Sequence, residues 1–390
     1  MPSSVSLHVR LAFCLFMSVI APPGCHPQPP LEYRPIRVLA TFNLTGSDSE
    51  LDQAAFNGAK LAQREINAAG GVRGRNLQLV AVDTASNPTV AVQAVKRALK
   101  TESDIVAGIG YCDSTFAGEI GALFENAGLP FISPGATDPK VPERIGDDMF
   151  FAAYGDDAQA TAMAKFAYEN LGVRRLAVWM DDRQDYPTTV GTYVAQAFKA
   201  LGGQVQMHAE SPEVLDFSAF ITSVRSTTPP FDAVYGATMP AQAVAFIEQL
   251  RAAGIAVPLL SGDGWDEQPV VDASQEKNLR AIYFTTHPFL GVETNAMNTF
   301  VDAYRNDHGS APSNAFAALG YDALGLLADA MKRAGSTEPE AVRNALASTA
   351  DYEGVVGAIG YRIGSRVPIK AVSVVQVDQG RASVVWTGTP

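Results

Sequence analysis

The sequence alternates between two kinds of apolar pattern. Short runs rich in Val, Leu, Ile and Ala, such as 37–42, are followed by longer stretches, such as 51–69, in which apolar residues recur every three or four positions. The short runs predict buried strands, and the longer stretches predict amphipathic helices that pack on them. Strands separated by helices of this length predict βαβ units and a parallel sheet.

The alternation occurs twice and is followed by a mixed remainder. In the first run, strands are predicted at 37–42, 77–83, 105–109 and 129–132, and helices at 51–69, 89–100 and 115–127. In the second run, helices are predicted at 157–171, 188–201, 217–226 and 240–253, and strands at 175–180, 204–208, 233–237 and 258–260. The remainder begins with a strand at Ala281 and continues with helices at 296–307, 315–334 and 338–347 and strands at 371–377 and 382–386. Because such a remainder makes a poor domain by itself, we expect it to complete two similar lobes and to leave several connections between them as a hinge.

The stretch 131–139, with the sequence FISPGATDP, is the first candidate for a binding site. A short apolar strand ends there in a loop of Ser, Pro, Gly, Ala, Thr and Asp. In an open parallel sheet, ligands bind beyond the carboxyl ends of the strands. The loop from Ser133 to Thr137 is therefore interpreted as one wall of a small-molecule site. An ordinary turn made of turn-forming residues is the other interpretation, and this stretch alone leaves both open.

Composition limits the class of protein. A chain of 390 residues, of which 47% are hydrophobic and 18% charged, is long enough for two or three domains with cores of their own. Its formal net charge is −12. Nucleic-acid-binding proteins need clustered Lys and Arg to neutralise phosphates, so a nucleic-acid partner is not expected.

The first 25 residues are typical of a signal peptide. Arg10 precedes an apolar segment at 11–21, which is too short to span a bilayer, and Cys25 follows a Pro-Pro-Gly sequence. A Cys in this place resembles the lipoprotein processing site, and simple secretion is the alternative. Residues 26–35, rich in proline, are expected to form a tether. The predicted location is the periplasm or the cell surface, with contact to the membrane only through a lipid on Cys25.

The cysteine count predicts no disulfide in the mature chain. Cys14 and Cys25 lie in the leader, so Cys112 would remain alone. We interpret Cys112 as a small buried residue rather than a nucleophile, because no His lies near it in the sequence.

Several sequence strings together resemble one known family. They are GAKLAQREINAAGGVRGRNLQLVAVDTASNP at 58–88, AGIGYCDS at 107–114, FENAGLPFISPGATDP at 124–139, RRLAVWMDDRQDYPTTVG at 174–191 and LLSGDGWD at 259–266. The chain resembles, from 36 to about 386, the leucine/isoleucine/valine-binding protein family. These are type I periplasmic proteins that deliver amino acids to ABC transporters.

The resemblance implies a fold and a domain division. The implied fold is α/β, with two doubly wound, Rossmann-like lobes that contain parallel sheets and are joined by a hinge of three crossovers. Lobe 1 would comprise 36–153 and 286–358, and lobe 2 would comprise 154–285 and 359–390. Proteins of this family close on their ligand as a clamp.

The resemblance also implies ligand-binding residues. The expected site residues are Ser114, Gly135, Ala136, Thr137, Tyr186, Thr238, Asp263 and Phe316. Ser114 resembles the residue that meets the ligand carboxylate, and Asp263 resembles an acidic residue that pairs with the ammonium group. Gly135 and Thr137 would contribute backbone and hydroxyl groups, and Tyr186 would contribute an aromatic ring from the opposite lobe.

Alternatives remain for individual residues. Asp263 lies between two glycines and is also typical of a turn residue. Tyr186 precedes Pro187 and would also suit a residue that packs on the first turn of a helix. Leu51 and the pair Thr238 and Met239 stand where known amino-acid binders place aromatic residues, which predicts a wider or more polar pocket and leaves leucine doubtful as the ligand.

Transport of an amino acid-like solute is the first functional hypothesis, with the permease subunits of an ABC transporter as partners. A receptor that senses an amide or another small solute with the same clamp is the second. An enzyme is not expected, because the sequence lacks the motifs GxxxxGK[ST], HExxH and GxSxG. No cofactor and no metal site are expected, and the protein is expected to be a monomer.

Overall fold

The structure is a computed structural model that describes residues 34–102, 104–210, 215–287, 290–291 and 294–389. The expected signal peptide at 1–25, with Cys25, and most of the expected tether at 26–35 lie outside the described residues. None of the described helices is long and apolar enough to cross a lipid bilayer.

A five-stranded parallel sheet forms the centre of lobe 1. Its strands are β1 (Ile36–Phe42), β2 (Leu77–Asp83), β3 (Ile105–Gly110), β4 (Phe131–Ser133) and β5 (Met149–Phe151), in the order β2-β1-β3-β4-β5. The helices between these strands are α1 (Ser49–Ala68), α2 (Pro88–Thr101), α3 (Ser114–Ala127) and α4 (Lys140–Ile145). Apolar runs that are buried on both faces, such as Ile36 to Phe42, suit a parallel sheet covered by helices on each side.

A seven-stranded sheet forms the centre of lobe 2. The parallel strands are β6 (Arg175–Asp181), β7 (Gln204–Glu210), β8 (Ala233–Ala237), β9 (Leu259–Ser261) and β10 (Ile282–Thr286). Helices α5 (Asp156–Lys165), α6 (Asp185–Ala200), α7 (Ser218–Ser226), α8 (Pro240–Ala252) and α9 (Gln268–Glu276) accompany them. A π-helical turn, Phe166–Asn170, continues α5, where the sequence predicts one uninterrupted helix.

The last part of the chain returns to both lobes, as expected. Helices α10 (Asn295–His308), α11 (Phe316–Ala334) and α12 (Pro339–Ala347) and the short hairpin of β11 (Tyr352–Gly354) and β12 (Gly357–Ile359) contribute to the core around β1 and α1. Strands β13 (Val372–Asp378) and β14 (Arg381–Gly388) join the second sheet, whose order is β14-β13-β10-β9-β8-β6-β7.

The second sheet therefore combines its five parallel strands with an antiparallel pair. Strand β13 pairs antiparallel with both β10 and β14. A tight turn joins β13 to β14, and such a turn can join only antiparallel neighbours. The expected fold, two Rossmann-like lobes rich in parallel strands and joined by three crossovers, is confirmed. The crossovers run from β5 to α5, from β10 to α10 and from β12 to β13. The exact residue bounds of the lobes stay a prediction.

Helices α1 and α11 of lobe 1 pack against each other at glycine residues. A Cβ atom on Gly58 of α1 would lie 1.8 Å from the carbonyl oxygen of Ala317, and one on Gly320 of α11 would lie 1.9 Å from that of Ala55. The backbones of α1 and α11 therefore meet with no side chain between them. This contact fixes how α1 and α11 lie against each other, and the N-terminal ends of both helices reach the edge of the sheet where ligands bind in such folds.

Replacement of Gly320 tests this close contact. We expect Gly320→Ala to lower the free energy of unfolding by about 3 kcal/mol, since the added methyl group has no space and the helices must separate. The measurement is urea unfolding followed by circular dichroism. The matched control is Gly118→Ala in α3, where the nearest atoms are 3.9 Å away. The control should be neutral or stabilising by up to about 1 kcal/mol, because alanine favours a helix. Equal effects of the two replacements would contradict the predicted close contact.

Candidate functional site

A cavity of about 120 Å³ lies between the two lobes. Lobe 1 contributes the start of α1, the loops after β3 and β4, and the first residue of α11. Lobe 2 contributes the first turns of α6 and α8 and the segment after β9. The volume is slightly below the value of about 150 Å³ for a cavity that accommodates benzene, so the space is of the order of a small organic molecule.

The loop after β4 is held in place by a buried hydroxyl group. Ser133 donates a hydrogen bond from Oγ to the carbonyl oxygen of Tyr111 at 2.8 Å and accepts one from the amide of Ala136 at 3.0 Å. These bonds tie the loop to the end of the neighbouring strand β3. Ser133 and Ala136 thus have structural contacts, and Gly135 between them lines the cavity.

A second hydroxyl group holds the far end of the same loop. Ser114 accepts hydrogen bonds at its Oγ from the amides of Thr137, at 3.3 Å, and Asp138, at 3.1 Å. Ser114 begins α3 and is fully buried, and it does not line the cavity. Two amides that would suit a ligand carboxylate are therefore already bonded inside the protein.

Asp263, across the cleft, is part of a buried polar network. Gln159 of α5 donates from Nε2 to Oδ1 of Asp263 at 2.9 Å and accepts at Oε1 from the amide of Asp263 at 3.0 Å. His287 contacts the other carboxylate oxygen through Nε2 at 3.1 Å. Gln159 also donates to Asp156 at 2.7 Å and accepts from Thr285 at 2.6 Å. Asp263 therefore lines the cavity in one fixed orientation.

The environment of this network favours neutral side chains. Burial raises the pKa of Asp156 well above its ordinary value, and the charge of Asp263 raises it further. Burial lowers the pKa of His287, although the contact with Asp263 opposes the shift. A neutral His287 that donates from Nε2 to Asp263 fits the lowered pKa of the imidazole.

His287 also connects the site to the hinge. It lies just after β10 in the second crossover, and its ring stacks on that of Tyr154 in the first crossover, with centroids 3.8 Å apart and planes at 23°. Both residues are fully buried. Direct contacts thus run from Asp263 in the cavity to His287 in the second crossover and on to Tyr154 in the first crossover.

Tyr186 packs against the turn that contains Asp263. It lies in the first turn of α6, and its hydroxyl oxygen accepts a hydrogen bond from the amide of Gly264 at 3.0 Å. A Cβ atom on Gly262 would lie 2.5 Å from this oxygen and 3.0 Å from Oε1 of Gln159, so only glycine fits there. Tyr186 lies within the first turn of α6 instead of before it, and it also lines the cavity.

Five of the eight residues expected at the site line the cavity: Gly135, Thr137, Tyr186, Asp263 and Phe316. The other three, Ser114, Ala136 and Thr238, lie nearby without lining it. Thr238 accepts a hydrogen bond at Oγ1 from Nε1 of Trp265 at 2.8 Å, and Trp265 packs in the core of lobe 2. The ligand contacts of all eight stay predictions.

Sequence reasoning missed most of the acidic residues of the cavity. The missed lining carboxylates are Asp48, Glu50, Asp52, Asp113 and Glu267. Each lies at or within the first turn of a helix, where acidic residues are common for structural reasons. No signal in the sequence distinguishes these from ordinary helix starts.

Two of these carboxylates differ in how they are bonded. Asp52 accepts hydrogen bonds at both oxygens, from the amides of Asn43 at 2.7 Å and Cys112 at 2.6 Å, and so joins the ends of β1 and β3. Asp113 caps α3 with Oδ1 only, and its Oδ2 has no partner within the described residues. Cys112 between them is buried and free, as expected.

Burial hinders ionisation of the acidic wall, which is the set of Asp and Glu side chains that line the cavity. It raises the pKa of Asp52 and of Asp113 to about 7 in each case, against the opposing effect of the amides that they bond. Burial also raises the pKa of Glu267 to about 9, and the neighbouring Glu50 adds to the shift. A positive charge in the cavity would favour the ionised form of all three.

The lobes also touch beside the cavity. Thr115 of α3 accepts a hydrogen bond at Oγ1 from the amide of Asp185 at 3.3 Å, and its hydroxyl lies 3.3 Å from Oε1 of Gln184. Arg144 of α4 reaches the Asp185 carboxylate at 3.5 Å. These contacts close one side of the cleft between α3 and α6.

Comparison with known proteins gives a match along most of the chain. Residues 35–382 match the family described as periplasmic binding protein. A relative from Brucella melitensis biotype 1, the Leu/Ile/Val-binding protein homolog 3, is 26% identical over 355 residues, which cover 90% of this chain and 93% of that protein.

Two solved structures are similar in fold and in sequence. The leucine binding protein LivK from Thermotoga maritima has a TM-score of 0.83 and 29% identity, with 91% of this chain and 99% of that chain covered. The branched-chain amino acid transporter substrate binding protein LivJ from Streptococcus pneumoniae, in complex with isoleucine, has a TM-score of 0.81 and 27% identity at the same coverage.

Asp113 is expected to make the ligand-free protein less stable as the pH rises. Because burial raises its pKa from 3.8 to about 7, the folded chain keeps a proton that the unfolded chain loses between about pH 4 and pH 7. The free energy of unfolding then falls through this window, by up to about 4 kcal/mol for this group. Asp113→Asn retains the capping oxygen and removes the titration.

The measurement is the Tm of the parent and of Asp113→Asn at several values between about pH 5 and pH 8. The Tm of the variant should fall less over this range. Asp351→Asn is the control, since Asp351 is exposed, and its profile should match the parent. If Asp113→Asn also matches the parent, Asp113 does not hold the extra proton.

Proposed function

Because this chain belongs to the periplasmic binding protein family, we propose that it captures a small amino acid-like solute between its lobes and delivers it to the permease of an ABC transporter. One observation carries the proposal: a cavity whose walls come from both lobes. A ligand in such a cavity contacts both lobes only when they are together. Ligand binding would therefore favour the closed arrangement.

The two walls have different expected roles. The loop with Gly135 and Thr137 is rigid, because Ser133 and Ser114 hold it from both ends. This wall would receive the ligand first. Asp263 on the other lobe would reach the ligand on closure. Because Asp263 contacts His287 in the second crossover, ligand binding would be coupled to the hinge between the lobes.

The leader sequence completes the proposal. Residues 1–25 would direct the chain across the membrane, and a lipid on Cys25 would retain it at the membrane surface. A Pro-rich tether at 26–35 would then separate the lobes from the lipid. A lipid-anchored binding protein stays close to a membrane permease, which would suit delivery.

Ligand binding should stabilise and compact the mature protein. A thermal-shift screen of amino acids, amides and small carboxylates should yield a compound that raises the Tm, because a ligand that binds only the folded state stabilises it. The same compound should reduce the radius of gyration in solution scattering, since it draws the lobes together. A compound that stabilises without compaction would contradict the clamp, and a screen without any stabilising compound would count against the binding function.

Thr137→Val tests whether the loop after β4 binds the compound that the screen identifies. Loss of a hydrogen bond to a charged ligand group costs about 1.5–3 kcal/mol, so affinity measured by calorimetry should fall about tenfold or more. Thr222→Val is the matched control, because Thr222 lies exposed on α7 and does not line the cavity. The control should leave affinity within about twofold.

Cys25→Ala tests the lipid anchor. In the native host, the parent chain should sediment with membranes and should be released by detergent, whereas the variant should be soluble outside the cytoplasm. Cys112→Ala is the control, since Cys112 is buried in lobe 1, and it should keep the membrane location. Membrane association of the Cys25→Ala chain would exclude this anchor.

A further inference from the structure

Resting on the binding role proposed above, we propose that the ligand of this cavity is an organic cation of net positive charge, with more ammonium than carboxylate groups. Six carboxylate side chains line the cavity: Asp48, Glu50, Asp52, Asp113, Asp263 and Glu267. Both lobes contribute to this set. None of the described lining residues is a Lys, Arg or His. Walls of one sign favour a ligand of the opposite sign.

Two of these carboxylates have an oxygen that no protein group satisfies. Oδ2 of Asp113 and Oε1 of Glu267 are buried without a hydrogen-bond partner among the described residues, and the two residues are only 8% and 5% exposed. A buried polar atom without a partner is costly, and a charged one is more so. An ammonium group carries three donors and a positive charge, so it supplies what both oxygens lack.

The amides that would hold a ligand carboxylate are already used. Helix α3 starts at the cavity, and the amides of its first turn would suit an anion. Asp113 occupies this position itself, since its Oδ1 accepts from the amides of Thr115 at 2.9 Å and Phe116 at 3.2 Å. A ligand carboxylate at this end would meet a protein carboxylate instead of free donors.

The neighbouring donors are engaged in the same way. The amide of Thr137 donates to Ser114, and the amide of Gly264 donates to Tyr186. Ser114, the residue expected to meet a ligand carboxylate, does not line the cavity, whereas Asp113 next to it does. The end of the site where a zwitterion would need donors therefore presents an acceptor.

The carboxylates are too dispersed for a metal ion. A metal ion of the usual kind needs several ligand atoms at one point. Among the described residues, no three Asp, Glu, His or Cys side chains come together in a group that would hold such an ion. A carbon chain with separated ammonium groups can instead meet carboxylates at different places along the cavity.

One pair of carboxylates faces across the cleft. Glu50 lies in the first turn of α1 in lobe 1, and Glu267 precedes α9 in lobe 2. Both side chains line the cavity, and the charge of Glu50 adds to the rise that burial causes in the pKa of Glu267. A cation between the two groups would favour the ionised form of Glu267 and would attract both lobes. The charge of the ligand would thus contribute to closing the lobes.

Three ligands of similar length and different charge test the proposal. Norleucine is a zwitterion, lysine has an additional ammonium group, and cadaverine has two ammonium groups and no carboxylate. Calorimetry on the mature protein at neutral pH should show that lysine or cadaverine binds at least about tenfold more tightly than norleucine, the gain expected from a charge-assisted hydrogen bond. Tight lysine binding would indicate a basic amino acid, and tight cadaverine binding would indicate a diamine.

Glu267→Gln tests the role of the acidic wall. The variant should lose about tenfold in affinity for the cation that binds best and should change little for norleucine. Glu276→Gln is the matched control, because Glu276 lies exposed at the other end of α9, and it should bind as the parent does. Asp113→Asn is a second variant with the same expected loss, and it retains the cap of α3.

The outcomes separate this inference from the proposed function. If norleucine, or a neutral or anionic compound of the wider screen, binds more tightly than the cations and compacts the protein, the cation inference is overturned and the binding function stands. Unchanged cation affinity in both variants would also overturn it. If no compound in either set binds, the proposed function itself fails.

Discussion

The fixed carboxylate of Asp263 is the constraint on which the site depends. Its two oxygens and its amide are bonded to Gln159 and His287, so it cannot rotate towards or away from the cavity. Gln159 forms hydrogen bonds with four polar groups from three elements, which is why a fully buried polar residue is tolerated near the start of α5. The turn after β9, the start of α5 and the end of β10 are thereby held in one geometry.

Much of the fold followed from the sequence, and the reasons are physical. Runs such as Ile36–Phe42 are mostly apolar because both faces of a parallel strand are covered by helices. Such runs can therefore be recognised as strands in the sequence. Strand β5 and helix α4 escaped prediction because three and six residues are too few to show a period. Helix α9 was missed as well, although Pro269 stands in its first turn.

Only part of the binding site was predicted, because only some of its residues form a pattern that the sequence shows. Gly135 and Thr137 were visible because a polar loop follows a buried strand, and both line the cavity. The acidic wall was not visible, since Glu50, Asp113 and Glu267 all stand at helix starts, where the helix dipole and the free amides favour an acid in any protein. Only the fold shows that these helix starts converge on one cavity. Positions that commonly bind a ligand anion are thus occupied by carboxyl groups of the protein itself.

The contact between α3 and α6 has a kinetic consequence. Thr115 meets Asp185 across the cleft, and the walls of the cavity belong to both lobes. If the lobes close on a ligand as proposed, a bound molecule would leave once they part. The dwell time of the ligand would then depend on the frequency of opening, and a partner protein that separates the lobes would accelerate release without touching the binding residues.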